Sequence, residues 1–145
     1  MSVKNKTIVW FRQDLRIHDN PALLSAADAG DILPVYILDD VNAAEWAMGS
    51  ASRVWLHESL KKLNESLNGK LLLLCGDAET LIADLVEASN ATAVHWNRCY
   101  EPWRIQRDRK IKAALTEKGI KVESTNGSLL WEPWSITKKD GTPYK

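Results

Sequence analysis

Short all-apolar runs alternate along this chain with longer stretches in which apolar residues return every third or fourth position. Residues 7–11, TIVWF, are the first such run, nearly free of polar positions and suited to a strand buried on both faces. Asn20 then stands where a helix cap belongs. Pro21 takes the first helical position, apolar Ala22, Leu23, Leu24, Ala26 and Ala27 follow, and Gly30 is the stop. Residues 32–38 predict a second buried strand, and residues 39–49 a loop holding Trp46 and Met48. Ser50 is placed to cap the longest helix, where Leu56, Leu60, Leu63 and Leu67 form a stripe at helical spacing, and Asn68-Gly69 ends it. Residues 71–75 predict a third strand. Asp77 is placed to cap a helix whose Leu81, Ile82, Leu85 and Val86 face inward. Residues 93–96 predict a fourth strand. Glu101-Pro102 opens a helix running to Lys118 and stopped by Gly119, and residues 120–123 predict a fifth strand.

Strand and helix alternating at this spacing imply right-handed crossovers and an α/β fold: a Rossmann-like open parallel five-stranded sheet with helices on both faces. The expected strand order is 3-2-1-4-5. Ligands of such sheets bind beyond the carboxyl ends of the strands, where the order reverses, here between strands 1 and 4. The loops at residues 12–20 and 97–101, with the strand 2 loop from Asp39, are therefore expected to rim a site. After Glu123 the periodicity ends, and a segment with Trp131, Trp134 and two prolines follows. Residues 1–125 read as one domain and residues 126–145 as a stretch leading elsewhere.

Composition narrows the chemistry. A chain of 145 residues suits one domain with a real core. Its 19 basic residues balance 19 acidic ones, whereas a dedicated nucleic-acid binder carries a basic excess. No apolar run approaches the roughly 20 residues that cross a bilayer, and the polar start is not expected to serve as a secretory leader. The expectation is a cytoplasmic protein without membrane contact. Cys75 and Cys99 are far apart in sequence and are expected as reduced thiols. Seven tryptophans are too many for so small a core, so some are expected to face a ligand or a partner.

Several chemistries have no motif here. GxGxxG and GxxxxGK[ST] are missing, the three histidines are not spaced as metal ligands, and no nucleophile–histidine pairing can be read. The first loop carries Arg12, Asp14, Arg16, His18 and Asp19. It reads either as a salt-bridged turn whose charges satisfy one another, or as a place where Arg12 or Asp14 meets a polar ligand. Arg104, Arg107, Arg109, Lys110 and Lys112 read mainly as a solvated helix face, with Arg104 close enough to the helix start to meet a phosphate. Trp96 is expected in the core. Tyr100 and Trp103, at the strand 4 loop, are placed to stack on a planar ligand.

Four segments taken together carry a resemblance. WFRQDLRIHDNPAL from Trp10, WNRCYEPWRIQRD from Trp96, NGSLLWEP from Asn126 and GTPYK from Gly141 resemble, in order, segments of the DNA photolyase/cryptochrome family. The family resemblance implies a light-driven flavoprotein whose first, α/β domain holds an antenna chromophore. A longer helical domain then carries FAD, the damaged-base pocket and a tryptophan chain, and FAD splits cyclobutane pyrimidine dimers in DNA. On that reading this chain is the antenna domain alone, partnered by the helical FAD domain. It would have no catalytic residue of its own and meet damaged DNA only through that other domain. The antenna is a reduced folate (methenyltetrahydrofolate) or a flavin-type ring (8-hydroxydeazaflavin or flavin mononucleotide). The resemblance places Phe11, Arg12, Asp14, Ile37, Leu38, Asp39 and Arg53 around the flavin-type pocket, with Tyr100, Glu101 and Trp103 beside it. Arg12 and Arg53 would pair with a ligand phosphate or carboxylate. Trp103-Arg104 stands where some folate binders have Asn-Glu, and Cys99 where some deazaflavin binders have an acid. The aromatic surface at Trp131, Trp134 and Tyr144 is expected to dock the helical domain or to drive self-association. A signalling cryptochrome and a stand-alone nucleotide-binding module of the universal-stress type are the rival readings.

Overall fold

A computed structural model of the chain describes residues 5–142. Five strands form one parallel sheet in the order β3-β2-β1-β4-β5: β1 (Lys6–Phe11), β2 (Asp31–Leu38), β3 (Leu72–Cys75), β4 (Ala93–Asn97) and β5 (Lys121–Thr125). This is the expected α/β architecture and strand order. Register pairs Trp10 with Val35, Val9 with His95, and Asn97 with Thr125.

Strand alternation sorts the core into two layers. Ile8, Trp10, Val35, Ile37, Val94 and Trp96 point to one face. There they meet Ile82 and Val86 of α4 (Ala78–Ser89) and Ile111 and Leu115 of α5 (Pro102–Glu117). Val9, Phe11 and Tyr36 point to the other, against Ala26 of α1 (Pro21–Ala29) and Leu63 of α3 (Ser50–Ser66). The predicted leucine stripe is the buried edge of α3: Leu56, Leu60 and Leu67 pack beside Leu63 in that layer.

Caps and ends follow the sequence closely, with three differences. Asn20 accepts from the Leu23 N–H and Asp77 from the Glu79 N–H, each capping its helix as expected. Gly49, rather than Ser50, occupies the cap position of α3, and no side chain caps it. The expected loop at 39–49 contains a short helix, α2 (Asp40–Ala43), and a 3₁₀ turn, Ala44–Trp46. Asp39 nucleates it by accepting the Asn42 N–H, a cap at a strand end. β5 runs two residues past Glu123, which brings Thr125 beside Asn97. Beyond it lies one 3₁₀ turn, Pro133–Ser135, with Trp131 and Trp134 exposed; Tyr144 lies outside the described residues. Both cysteines are free, Cys75 exposed and Cys99 buried. No described helix is long and apolar enough to cross a membrane.

His95 gives the fold a pH signature. It sits in the middle of β4, 1% exposed, with the Glu123 carboxylate 3.8 Å from Nε2. Burial pushes its pKa below the ordinary value, against the pull of Glu123. The unfolded chain, titrating near pH 6.5, therefore binds the proton first. Stability is fully present above that pH and is lost as pH falls through it toward the lowered folded value. Glu123, also lowered, chiefly by the Ser25 hydroxyl, acts only below the ordinary carboxylate range. Urea midpoints should fall between pH 7 and 5 for the wild type and stay level for His95→Leu. Parallel profiles would show that His95 does not titrate on unfolding.

Candidate functional site

The crevice between β1 and β4, where the strand order reverses, is closed by its own side chains. Asp14 accepts the Arg12 N–H at 2.8 Å and the amide of Asn97, which also donates to Asn20 Oδ1 at 2.7 Å. Thr125 and the Ala22 N–H donate back to Asn97 Oδ1. The first-loop charges do not neutralise one another. Arg16 reaches the carbonyls of Asp19 and Gly127, and Arg12 leaves the loop altogether. The salt-bridged turn is thereby corrected: with amides supplying the donors, Asp14 needs no arginine side chain.

An open cavity of about 200 Å³ lies instead over the carboxyl end of β2, roofed by the α2 segment and walled by α5. Arg107, on α5, is 4% exposed, which corrects its reading as part of a solvated face. It donates to Asp39 (Nη1–Oδ2 3.0 Å) and to Asp108 (Nη2–Oδ1 2.9 Å). Arg12 pairs with the other oxygen of Asp108 and donates to the Asn97 carbonyl. Arg12, Asp108, Arg107 and Asp39 thus form a chain of alternating sign under the cavity, which is how buried charge is tolerated. Three polar atoms of its lining lack hydrogen-bond partners among the described residues, Trp10 Nε1, Arg12 Nε and Arg104 Nε. Unpaired buried donors are costly, and such costs concentrate at functional sites.

The α2 segment is tied down at both ends. The Asn42 amide bridges Asp39 and Asp77, the cap of α4, at 2.8 Å to the latter. Arg53 pairs with Asp40 at 2.7 Å and donates to the Met48 carbonyl at 2.8 Å. These contacts hold Trp46 and Met48 at the cavity wall. Tyr36 lines it too. Burial raises its pKa, outweighing the nearby Arg104, so the phenol stays protonated at neutral pH.

Of the residues singled out from sequence, Arg12, Ile37, Leu38, Asp39 and Trp103 line this cavity. The others sit elsewhere. Phe11 points to the α1–α3 layer, one strand position out of phase with Arg12. Asp14 belongs to the amide network. Arg53 braces α2 through Asp40, so its fork, like that of Arg12, is already occupied. Tyr100 is a tilted neighbour of Trp134 at 5.9 Å and donates to Glu132, fastening the segment after β5. Glu101 accepts from Gln13 across the loops. Sequence reasoning missed Trp10, Tyr36, Trp46 and Arg107 as cavity residues, and named Arg104, also in the lining, only as a place to meet a phosphate near the helix start. Two of them had a signal: Trp10 shares a face with Arg12 at period two, and Arg107 with Trp103 at i+4.

Aromatic walls, a small volume and a few fixed polar groups suit a flat heterocycle. Among the described residues there is no cluster of His, Cys, Asp and Glu able to hold a metal ion.

Comparison with known proteins agrees with this frame. A family model described as DNA photolyase matches residues 7–145. The chain is 43% identical to Cryptochrome-2 of Arabidopsis thaliana over 148 residues, covering 99% of this chain and 24% of that protein. A bacterial class III photolyase from Agrobacterium tumefaciens superposes with a TM-score of 0.84 at 40% identity, over 97% of this chain and 30% of that one. An archaeal photolyase from Sulfolobus tokodaii, described as having two FAD molecules with implication of a novel light-harvesting cofactor, gives 0.78 at 29% identity, over 92% of this chain and 32% of that one. The chain spans about a quarter to a third of the length of the relatives it matches. By sequence and by fold, it belongs to the DNA photolyase/cryptochrome family.

Proposed function

We propose that this chain is the light-harvesting domain of a deoxyribodipyrimidine photolyase and that the cavity over β2 holds the ring of its antenna chromophore. The observation that carries this is the cavity itself. It lies at the ligand-binding end of the sheet, with indoles from three separate elements, Trp10, Trp46 and Trp103, at its walls. The two FAD molecules described for the Sulfolobus tokodaii photolyase support a flavin-type ring as one candidate. A reduced folate is the other. A cryptochrome is the second reading of the parent protein, favoured by the Arabidopsis relative, and it assigns the same role to this cavity. The universal-stress alternative is set aside by the family match.

The chain's own residues do three things on this reading. Trp103 and Tyr36 supply flat apolar area. Arg107 and Asp39, locked in their ion pair, fix the floor. Arg104, a fifth exposed, faces the carboxylate or phosphate of the ligand's tail. The group bound there would absorb light and pass the energy to a second flavin. FAD, lesion binding and dimer splitting are assigned to parts of the relatives beyond the stretch this chain matches. The exposed Trp131 and Trp134 face the helical domain of the parent protein in this proposal.

Titration of the chain with flavin mononucleotide, 8-hydroxydeazaflavin and methenyltetrahydrofolate, read by absorbance and fluorescence, tests the site. One of the three should bind. Trp103→Ala should weaken it roughly tenfold or more, since stacking on an aromatic ring contributes about 1–3 kcal/mol. No spectral change with any of them would remove the antenna role.

A further inference from the structure

The guanidinium groups around the cavity are stacked on its tryptophans. The Arg12 and Arg107 guanidinium carbons lie 4.8 Å and 4.7 Å from the centroid of Trp10. Arg104 lies 4.7 Å and Arg107 5.1 Å from that of Trp103. Arg12 also lies 5.8 Å from Trp96, which meets Trp10 edge-on at a centroid distance of 5.8 Å. A chain of this length carries about two such pairs on average. Here three arginines converge on two indoles of one cavity, Trp10 and Trp103, and on Trp96 behind Trp10. Packing does not require it. Trp10 and Trp96 are already embedded among Ile8, Val94 and Ile111, and gathering cations under a sheet end carries a desolvation cost.

Resting on the reading of the cavity as the seat of a light-absorbing ring, we propose that Arg12, Arg104 and Arg107 make the adjacent tryptophans poor electron donors and so protect the excited state. Indole is among the most easily oxidised side chains. Beside an excited flavin or folate ring, one electron would leave the indole of Trp10 or Trp103 for that ring and then return, and the excitation would be lost as heat. The departing electron leaves a positive charge on the indole. A guanidinium under 5 Å away repels that charge, and the low dielectric of the interior strengthens the repulsion. Asp39 and Asp108 bond the guanidinium nitrogens. They hold the cations on the rings while offsetting part of the field. Trp46 is the internal contrast. It lines the same cavity, is 71% exposed, and has no guanidinium on its ring among the described residues.

The test is the fluorescence lifetime of whichever of flavin mononucleotide, 8-hydroxydeazaflavin and methenyltetrahydrofolate the chain takes up. Arg107→Gln should shorten the lifetime about threefold, because it takes one of the two guanidinium groups away from each of Trp10 and Trp103. Adding Trp10→Phe and Trp103→Phe should restore it. In the wild type, Trp46→Phe should lengthen the lifetime while Trp10→Phe leaves it unchanged. Arg104→Gln, which leaves the buried ion pairs intact, should shorten it about twofold and decides the matter if Arg107→Gln does not fold. Ligand bound with an unchanged lifetime in the arginine variants overturns this proposal and leaves the cavity's role standing. No uptake of flavin mononucleotide, 8-hydroxydeazaflavin or methenyltetrahydrofolate overturns both.

Discussion

Arg107→Met is expected to lower the unfolding free energy by about 3–5 kcal/mol, the cost typical of stranding a buried charge by removing its partner. Two carboxylates lose an ion-pair partner here. Asp39 and Asp108 each lose a guanidinium donor, and Asp39 is itself 8% exposed. Methionine replaces the aliphatic volume of the arginine, so the loss is electrostatic rather than a cavity. Arg12 still reaches Asp108, which leaves Asp39 as the worse orphan. That asymmetry predicts a rescue. Asp39→Asn removes the stranded charge while keeping an oxygen to accept the Asn42 N–H, so the double variant should recover more than half of the loss. Urea denaturation of the four proteins gives the coupling directly. A midpoint for Arg107→Met within error of the wild type would mean that the alternating chain of charges does not hold the sheet end together.

The fold was legible because apolar periodicity alone places the elements. TIVWF, buried on both faces, fits only an inner parallel strand, and the leucines of α3 fit only a helix with one buried edge. The cavity was less legible because it depends on where charged side chains go in three dimensions. Arg12 and Arg107 look alike in sequence to Arg109, yet they are buried and Arg109 is exposed. What separates them is Asp39 and Asp108, one on a distant strand end, and no local pattern reports that pairing. Phe11 was placed at the pocket by resemblance, although its alternation with Arg12 assigns it to the opposite layer. The crevice between β1 and β4 was the expected site, and it is occupied because Asn97 carries an amide able to donate to two turns at once. Such a residue reads in sequence as an ordinary loop asparagine.

Asn97→Asp tests whether that amide is what locks the two turns. Asn97 is 4% exposed and has every hydrogen-bonding direction used: its nitrogen donates to Asp14 and Asn20, and its oxygen accepts from Thr125 and the Ala22 N–H. Gly127 lies so close that a Cβ there would stand 2.6 Å from Asn97 Cγ, so the side chain has no second position. Aspartate keeps the acceptor and turns the donor into an oxygen facing the Asp14 carboxylate. Two buried carboxylates in contact cannot both ionise, and one folded-state pKa rises well above its unfolded value near 3.9. Stability contributed by a raised group is present below the unfolded pKa and lost as pH rises through the folded one. At pH 7 the variant should therefore be less stable than the wild type by about 3–5 kcal/mol, counting a lost donor and a repelled charge. Between pH 7 and 4 the gap should narrow, as one proton settles between the two acids. Asn97→Leu removes the donor and the acceptor together. It should show a loss of similar size that does not narrow with pH, because the Ala22 N–H stays orphaned at any proton concentration. Thermal melts of both variants against wild type across that range separate the cases. A pH-independent gap for Asn97→Asp would place Asp14 out of reach of position 97 and reopen the crevice between β1 and β4 as a site.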